Sequence, residues 1–427
     1  MAGRPTDYET EAATHFWIEI GVDNRENGIN LSLITKGGIA RGDAGVRDEM
    51  TEDRYSCSVL RLLYSRGALT RKQILGCLNM RQNTLVEICN RLEAAGDVVR
   101  LASDHVRNVP LRLNSGRFGV IGLEHARERA VCVLLTVDGR KAAVEDYPLD
   151  PDEGGASRLA RLLDVLADFL ERRRRCAVVG IGFADIGIVD SERGLGVYSA
   201  HIPAWSGMAI GEALRARFGL FCRVVDRTGA SALECLRRNP DDAQVRDSLQ
   251  IYVGGGVGAT ILRDGQYWGA SSPSSCQLGH TIAVPHGDLC RCGNRGCLET
   301  VVSVPALVSR VSRQTRGAIS TEEQFLAEAA RGNRTCVRAL EQAGEALGIA
   351  IANVVTFTAV TSVMLRSRLC RANPVFLSAV DRTVRENVIG PFRAKVRIVA
   401  SHQDDDCTAL GAAFYTQREY FRFADMG

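Results

Sequence analysis

The sequence predicts an α/β protein with a winged helix-turn-helix module in front. Three stretches carry that expectation. From residue 118 to about 415, apolar strand-like runs alternate with amphipathic helical runs, as packed α/β layers require. Ahead of them, residues 51–113 read as helix, short helix, turn, helix and hairpin. Inside the α/β part, Gly279-His280 is followed by Leu289-Cys290-Arg291-Cys292-Gly293-Asn294-Arg295-Gly296-Cys297-Leu298-Glu299, which sets one imidazole and three thiols within eighteen residues.

At 427 residues the chain is long enough for two or three domains. Its net charge of +3 announces no global basic field, so any DNA binding must come from one local module. Most of the 14 cysteines are scattered in apolar or helical runs (Cys57, Cys77, Cys89, Cys132, Cys235, Cys336) and form no spaced framework. The start, Met1-Ala2-Gly3-Arg4-Pro5-Thr6, is polar and unlike a signal peptide. A reducing, cytoplasmic location is therefore expected. No apolar run reaches the roughly 18 residues of a membrane span. There is no visible repeat or low-complexity tract.

Residues 1–50 carry nine acids against five bases. Thr14–Ile20 could form a short strand, and Gly37-Gly38 and 42–45 read as loop. This segment is expected to be an extension, either flexible or packed on a neighbour.

The texture changes at Thr51. Glu52–Ser65 places Val59, Leu60, Leu62 and Leu63 at helical spacing and stops at Gly67. Thr70 followed by Gln73 is a capping box that starts a short helix bearing Ile74, Leu75 and Leu78. A turn at Asn79-Met80 precedes a third helix, 81–95, with Leu85, Ile88, Cys89 and Leu92 inward. Val98–Arg100 and Pro110–Leu113 read as the wing. Residues 51–113 hold ten bases against six acids, so the basic excess sits here. Arg81, Gln82, Asn83, Thr84 and Glu87 would face DNA from the third helix, and Arg, Gln and Asn are the types that pair base edges in the major groove. Arg71 is a further DNA-binding candidate, and Arg100 and Arg107 on the wing could reach phosphates, which position without specifying. The competing assignment is a three-helix protein-interaction domain.

Asn114–Arg117 reads as a linker. Then Gly119–Glu124 and Ala130–Val137 form two apolar strands, with a turn at Asp138-Gly139. Helix 156–173, strand 178–183, helix 208–218 and strand 222–226 follow. A second α/β unit starts near Ser248 with strands 249–253 and 258–263. Helices at 303–315, 321–331 and 335–358 come after the cysteine run, and the last element ends near Thr408–Ala413.

His280, Cys290, Cys292 and Cys297 are the ligand types of a tetrahedral Cys3His zinc site, and Gly293 and Gly296 stand where the backbone must turn tightly to converge the sulfurs. Four protein ligands leave no place for water, so the zinc would be structural. The alternative is four ordinary buried side chains.

The cysteine run, the Gly256-Val257-Gly258 loop before it and the winged helix in front together resemble the ROK family (repressor, open reading frame, kinase). Cys290, Cys292, Gly293, Gly296, Cys297 and Glu299 match its signature, with Gly279-His280 upstream. Asp264-Gly265, Trp268-Gly269-Ala270, Ser303 and Ala306 also fall on similar residues. The likeness spans about 51 to 415. It implies an actin-like (ribonuclease H-like) two-lobed sugar-kinase fold over 118–415: lobe one about 118–226 plus the C-terminal segment, lobe two about 227–400 with the zinc loop at 280–299. A winged helix in front belongs to the repressor branch, that of the N-acetylglucosamine and xylose repressors.

The departures bear on function. Family kinases open the α/β part with an Asp-Gly-Gly-Thr-like loop that holds ATP phosphates. Here that place reads Glu124-His125-Ala126-Arg127-Glu128-Arg129, whose bulk and two carboxylates oppose phosphate. The family's Asn-Asp pair, whose Asp is the catalytic base, is Asp226-Arg227, and a guanidinium cannot serve as a base. A late glycine-rich turn at the adenosine is Arg366-Ser367-Arg368. The chain is therefore expected not to be an enzyme. The resemblance places a sugar-like effector at His201, Asp226, Arg227, Gln277, His280 and Glu299, with Gln277 where the family has Glu. Arg227 would either receive an anionic sugar or close an internal salt bridge to Asp226 or Glu299. The expected whole is a zinc-bearing, homodimeric or homotetrameric repressor of carbohydrate genes that binds a double-stranded operator, with no membrane partner. The alternatives are a sugar kinase with atypical phosphate contacts and a ligand-free regulator controlled by a protein partner or metal.

Overall fold

The computed structural model describes residues 45–101, 109–173, 176–268, 276–401 and 404–422. The strand expected at 14–20, the wing residue Arg107 and Gly269-Ala270 lie outside them. The chain divides into Met1–Tyr55 and Ser56–Gly427; helix α1 crosses that boundary, and the packing that follows is that of the second unit.

The module comes first. Helix α1 runs Gly45–Arg66, α2 Arg71–Cys77 and α3 Gln82–Ala94. The expected capping box forms: Thr70 Oγ1 accepts from the Gln73 N–H, and Gln73 Oε1 accepts from the Thr70 N–H at 2.9 Å. The wing pairs β1 Val98–Arg100 with β2 Leu111–Leu113, antiparallel. Val59, Leu63, Ile74, Leu85, Ile88, Cys89, Leu92, Val98 and Leu111 fill a small core. Two boundaries differ from expectation. α1 begins seven residues earlier than Glu52. Arg81 sits at the N-cap of α3, before its first turn, and its side chain makes no cap hydrogen bond.

The expected linker at 114–117 is clamped instead of free. Asn114 donates from its side chain to Gly96 O at 2.8 Å, and from its backbone to Asp97 O at 2.8 Å. Arg117 pairs with Asp97 at 3.1 Å and donates to Ala95 O. On the far side, Tyr64 of α1 stacks on Phe421, with ring centroids 4.0 Å apart, and accepts from Gln417 at 3.1 Å. α1 thus rests on the C-terminal helix Cys407–Arg422.

The body contains two five-stranded sheets. The first uses β3 Phe118–His125, β4 Arg129–Thr136, β5 Lys141–Pro148, β6 Ala177–Asp185 and β9 Phe221–Asp226, in the order β5-β4-β3-β6-β9. A two-stranded ribbon, β7 Ile188–Asp190 and β8 Leu195–Tyr198, stands apart. The second sheet uses β10 Ser248–Val253, β11 Val257–Arg263, β12 Gln266–Tyr267, β13 Ser362–Ser367 and β14 Arg397–Ala400, in the order β12-β11-β10-β13-β14. Counted from each sheet's own first strand, both read 3-2-1-4-5. In both, the first three strands are antiparallel neighbours and the last two run parallel to the first. One topology therefore occurs twice, although no sequence repeat announces it.

Strands β3 and β4 are buried nearly throughout, as central strands covered on both faces must be. Helices α4 Gly155–Glu171 and α5 Ile210–Phe218 cover one face through Leu162, Leu166, Phe169 and Leu214. The C-terminal helix covers the other with Ala409, Leu410 and Ala413 against Val120, Val131 and Val133. It also lies against α6 Arg227–Arg238, which reaches the second sheet through Leu233, Leu262 and Tyr267. Contact is so close at Gly411 that a Cβ there would stand 1.7 Å from Ala230 O, so only glycine fits. The second sheet is packed by helices Val304–Gln314, Glu322–Ala330, Arg334–Thr358 and Pro374–Asn387, the first three within about a residue of expectation. No described helix is long and apolar enough to cross a membrane.

Candidate metal centre and interlobe cleft

The metal cluster assembles as the spacing suggests. The ligand atoms of His280, Cys290, Cys292 and Cys297 all lie within 4.8 Å of one another. Cys292 Sγ is 3.6 Å from Cys297 Sγ, and Cys290 Sγ is 3.6 Å from His280 Nδ1. Metal–sulfur bonds of about 2.3 Å in a tetrahedron demand edges of about 3.7 Å, so these two edges already fit and the cluster could hold a metal ion. Backbone bonds shape the loop: Cys290 N–H to Asn294 O at 2.8 Å, Gly293 N–H to Cys290 O at 3.0 Å and Gly296 N–H to Asp288 O at 2.9 Å. Gly296 has a φ of 76° and no room for a Cβ, which would lie 1.7 Å from Val284 O.

Beyond this loop the cleft residues are largely spent on one another. Asp226 does not point into open space. Its Oδ1 caps α6 by accepting from the Thr228 and Gly229 N–H groups at 3.0 and 2.9 Å, and its Oδ2 accepts from Tyr267. Burial pushes its carboxyl above the usual range. Arg227 does close a salt bridge, but with Glu124 of β3, not with Asp226 or Glu299. Burial alone would lower its pKa; the carboxylate beside it wins and raises it. Glu299 is 4% exposed and accepts from the Val257 N–H at 3.0 Å. Its other oxygen faces Arg291 Nε at 3.4 Å, and Arg291 Nη1 is 2.8 Å from His201 Nδ1. Arg291 is a cleft residue that the sequence pattern does not single out, hidden between two cysteines of the cluster. Gln277 is exposed, at the start of the turn Leu278–His280. A cavity of about 300 Å³ opens beside the loop, lined by Arg291, Glu299, Ser303, Arg310 and Arg313 among others.

The segment that the resemblance aligns with the kinase phosphate loop, residues 124–129, is a tight turn between β3 and β4. The Ala126 N–H is used by Arg129 O at 2.9 Å. Arg158 of α4, fully buried, donates to Ala126 O, to Arg127 O at 2.6 Å, and to Asp150 O and Glu153 O at 2.9 Å. Its Nε donates to His125 Nε2 at 2.8 Å. A guanidinium only donates, so His125 accepts there and carries its proton on Nδ1, toward Asp185 at 3.3 Å. Asp185 also accepts from Trp205 at 2.8 Å.

Burial holds His125 below the ordinary histidine range. The unfolded chain would therefore take up a proton near pH ~6.5 that the folded chain refuses. The contribution of His125 is fully present above that pH and declines as pH falls toward the folded value. The thermal midpoint is expected to drop between about pH 7.5 and about pH 5.5, and His125→Gln should flatten that drop. An unchanged slope in the variant would remove His125 from the cause.

In the winged module, Arg81, Gln82, Asn83 and Glu87 are exposed and Thr84 half-buried, at the N-terminal end of α3. Arg71 and Arg100 are engaged elsewhere: both pair with Glu93, and Arg71 also donates to Asn90 at 2.8 Å. Together they tie α2 and the wing to α3.

Twin 3-2-1-4-5 sheets, two helices between them and the His/Cys3 loop define the class, and the ROK family sequence profile matches residues 120–419. The chain belongs to the ROK family and has its actin-like fold. Among its relatives are the DNA-binding transcriptional dual regulator NagC of Escherichia coli K12, 26% identical over 385 residues (87% of this chain, 94% of that one), and Mlc of the same organism, a DNA-binding transcriptional repressor, 25% identical over 398 residues (90% and 97%). The xylose repressor of Caldicellulosiruptor bescii is 22% identical over 371 residues (83% and 92%). Among solved structures, a ROK transcriptional regulator homologous to Escherichia coli Mlc superposes with a TM-score of 0.73 at 24% identity, covering 88% of this chain and 98% of its own. A Streptomyces griseus ROK glucokinase bound to glucose and AMPPNP gives 0.59 at 18% identity, covering 69% and 98%.

Proposed function

We propose that this chain is a DNA-binding transcription regulator, a repressor of carbohydrate-metabolism genes, with no kinase activity. The observation that carries this is the pairing of Glu124 with Arg227. It puts an ion pair where a kinase needs its phosphate loop and its base, in a chain that also bears a winged helix-turn-helix. A phosphate would meet a carboxylate, and the arginine cannot take a proton from a sugar hydroxyl. The fixed turn under Arg158 supports the same conclusion.

Operator contact falls to Arg81, Gln82, Asn83, Thr84 and Glu87 in the major groove, with Arg107 from the wing on phosphate. Arg71 and Arg100 are better regarded as scaffolding for the wing, since DNA contact would cost them Glu93. Zinc is the natural occupant of the thiolate-rich site and would act structurally. A homodimer or homotetramer would match a two-fold operator. The effector is a sugar held by His201, Gln277, His280 and Glu299. The anionic sugar loses its motive at Arg227, whose charge Glu124 already balances.

Arg81→Ala and Gln82→Ala are each expected to cost about 1–3 kcal/mol on the preferred site and to relax sequence preference. Arg107→Ala should weaken all sequences alike and flatten the salt dependence. Binding titrations of the full-length protein on specific and scrambled duplexes decide the assignment. Unchanged preference in both α3 variants would take α3 out of the groove.

A further inference from the structure

We infer that Arg291 occupies the effector subsite of the cleft itself, as a built-in guanidinium that a sugar must displace, and so sets which ligands the cleft accepts. This rests on the reading of the cleft as an effector site.

Three observations carry it. First, Arg291 lies between Cys290 and Cys292, so a metal held by those thiols fixes its backbone at the cleft edge. Second, its guanidinium meets one group from each lobe: His201 Nδ1 at 2.8 Å, on the loop after β8, and Glu299 Oε1 at 3.4 Å, beside the second sheet. Both groups close on one small space, for a Cβ on Gly256 would stand 2.7 Å from Glu299 Oε2 and 2.9 Å from His201 Nε2. Third, Glu299 Oε1 is buried and accepts no hydrogen bond. It is free to take a ligand hydroxyl once the guanidinium withdraws.

The chemistry follows from donor counts. A guanidinium has donors only, so it takes up the acceptor at His201 Nδ1 and, through the ion pair, covers the unused acceptor Glu299 Oε1, both of which a sugar hydroxyl would otherwise use. A neutral sugar must break both contacts to enter. The contacts are of a strength that permits it: Arg291 is 40% exposed, and solvent screens such a pair. The 300 Å³ cavity that Arg291 also lines offers the displaced side chain a place. Because the guanidinium touches a group from each lobe, displacing it removes a link between them, and a ligand that does so favours any arrangement in which that link is broken.

The test is calorimetry of the full-length protein with N-acetylglucosamine, glucose and xylose, comparing wild type, Arg291→Ala, Arg291→Gln and Arg291→Lys. Arg291→Ala and Arg291→Gln should bind at least one of these sugars about tenfold more tightly than wild type, and Arg291→Lys should stay near wild type. Metal content and thermal midpoint verify that each variant is folded, and a variant that keeps its metal is sufficient for the comparison. Equal or weaker binding of all three sugars by both uncharged variants would overturn the proposal; weaker binding would make Arg291 a donor to the ligand. Release of operator DNA in the same preparations separates the two claims. Tighter sugar binding without DNA release leaves displacement standing and sinks the effector reading. DNA release by sugar in wild type with no gain in the variants does the reverse.

Discussion

Cys292→Ser is expected to strip the metal from the protein and to cause the largest loss of stability of any single change outside the cores. Metal binding at a closed four-ligand site is folding free energy, about 10–16 kcal/mol for structural zinc in small peptides. Here the ion would gather a loop from His280 to Cys297 that has few apolar side chains of its own: Ile282, Val284 and Leu289 are all exposed. Without it, Gly296 would no longer be held against Val284, and the turn carrying Arg291 and Glu299 would lose its anchor. Elemental analysis and thermal unfolding check this together, with chelation of the wild type expected to reproduce the variant. A chelated protein that keeps the wild-type midpoint would remove the metal centre from the structure's energetics.

Arg158→Met is expected to destabilise by about 3–5 kcal/mol, the usual cost of breaking a buried charged network by removing one partner. Four carbonyl oxygens and His125 Nε2 would lose their donor at once, and methionine supplies no replacement. For a lobe of this size the midpoint should fall by about 10 °C. Arg158→Lys should recover little, since one ammonium cannot reach five acceptors in the fork geometry of a guanidinium. A fall of only a degree or two for Arg158→Met would show that water fills the vacated space and satisfies the turn.

Arg158 also marks where the sequence stops being legible. It sits in an amphipathic helix, where arginine is normally a solvated residue, and nothing local says that this one points inward. Its partners His125, Ala126 and Arg127 lie 33, 32 and 31 residues away in the chain, and the nearer ones, Asp150 and Glu153, offer only backbone carbonyls. The same holds for Arg227, whose partner Glu124 is 103 residues away; the resemblance points to Asp226 or Glu299 because it places them in the same cleft. By contrast, the Thr70–Gln73 capping box, the wing and the lobe-two helices are local features, and periodicity and capping chemistry placed them within a residue or so. Strand β5, Lys-Ala-Ala-Val-Glu-Asp-Tyr-Pro, escaped because it is a sheet edge with alternate exposed positions and little apolar signal. α6 is hidden because it opens on Arg-Thr-Gly, poor helix-starting residues, and its N-cap Asp226 reads equally well as a cleft residue. The His/Cys cluster is legible because its four residues are compressed into eighteen. The cleft is not, because its residues come from both sheets and neutralise one another in space. The sequence shows two α/β units and its family resemblance implies two lobes, but the shared 3-2-1-4-5 strand order is visible only in the pairing of the strands, because residues distant in the chain decide which strands become neighbours.

The most direct measurement is capture of genomic DNA fragments on the full-length protein at moderate salt, followed by elution with individual sugars. The expected result is enrichment of a small set of related, two-fold symmetric sequences, released by at least one sugar and lost in Arg81→Ala. Fragments retained without sequence preference, or a preferred set that Arg81→Ala retains and no sugar releases, would contradict it.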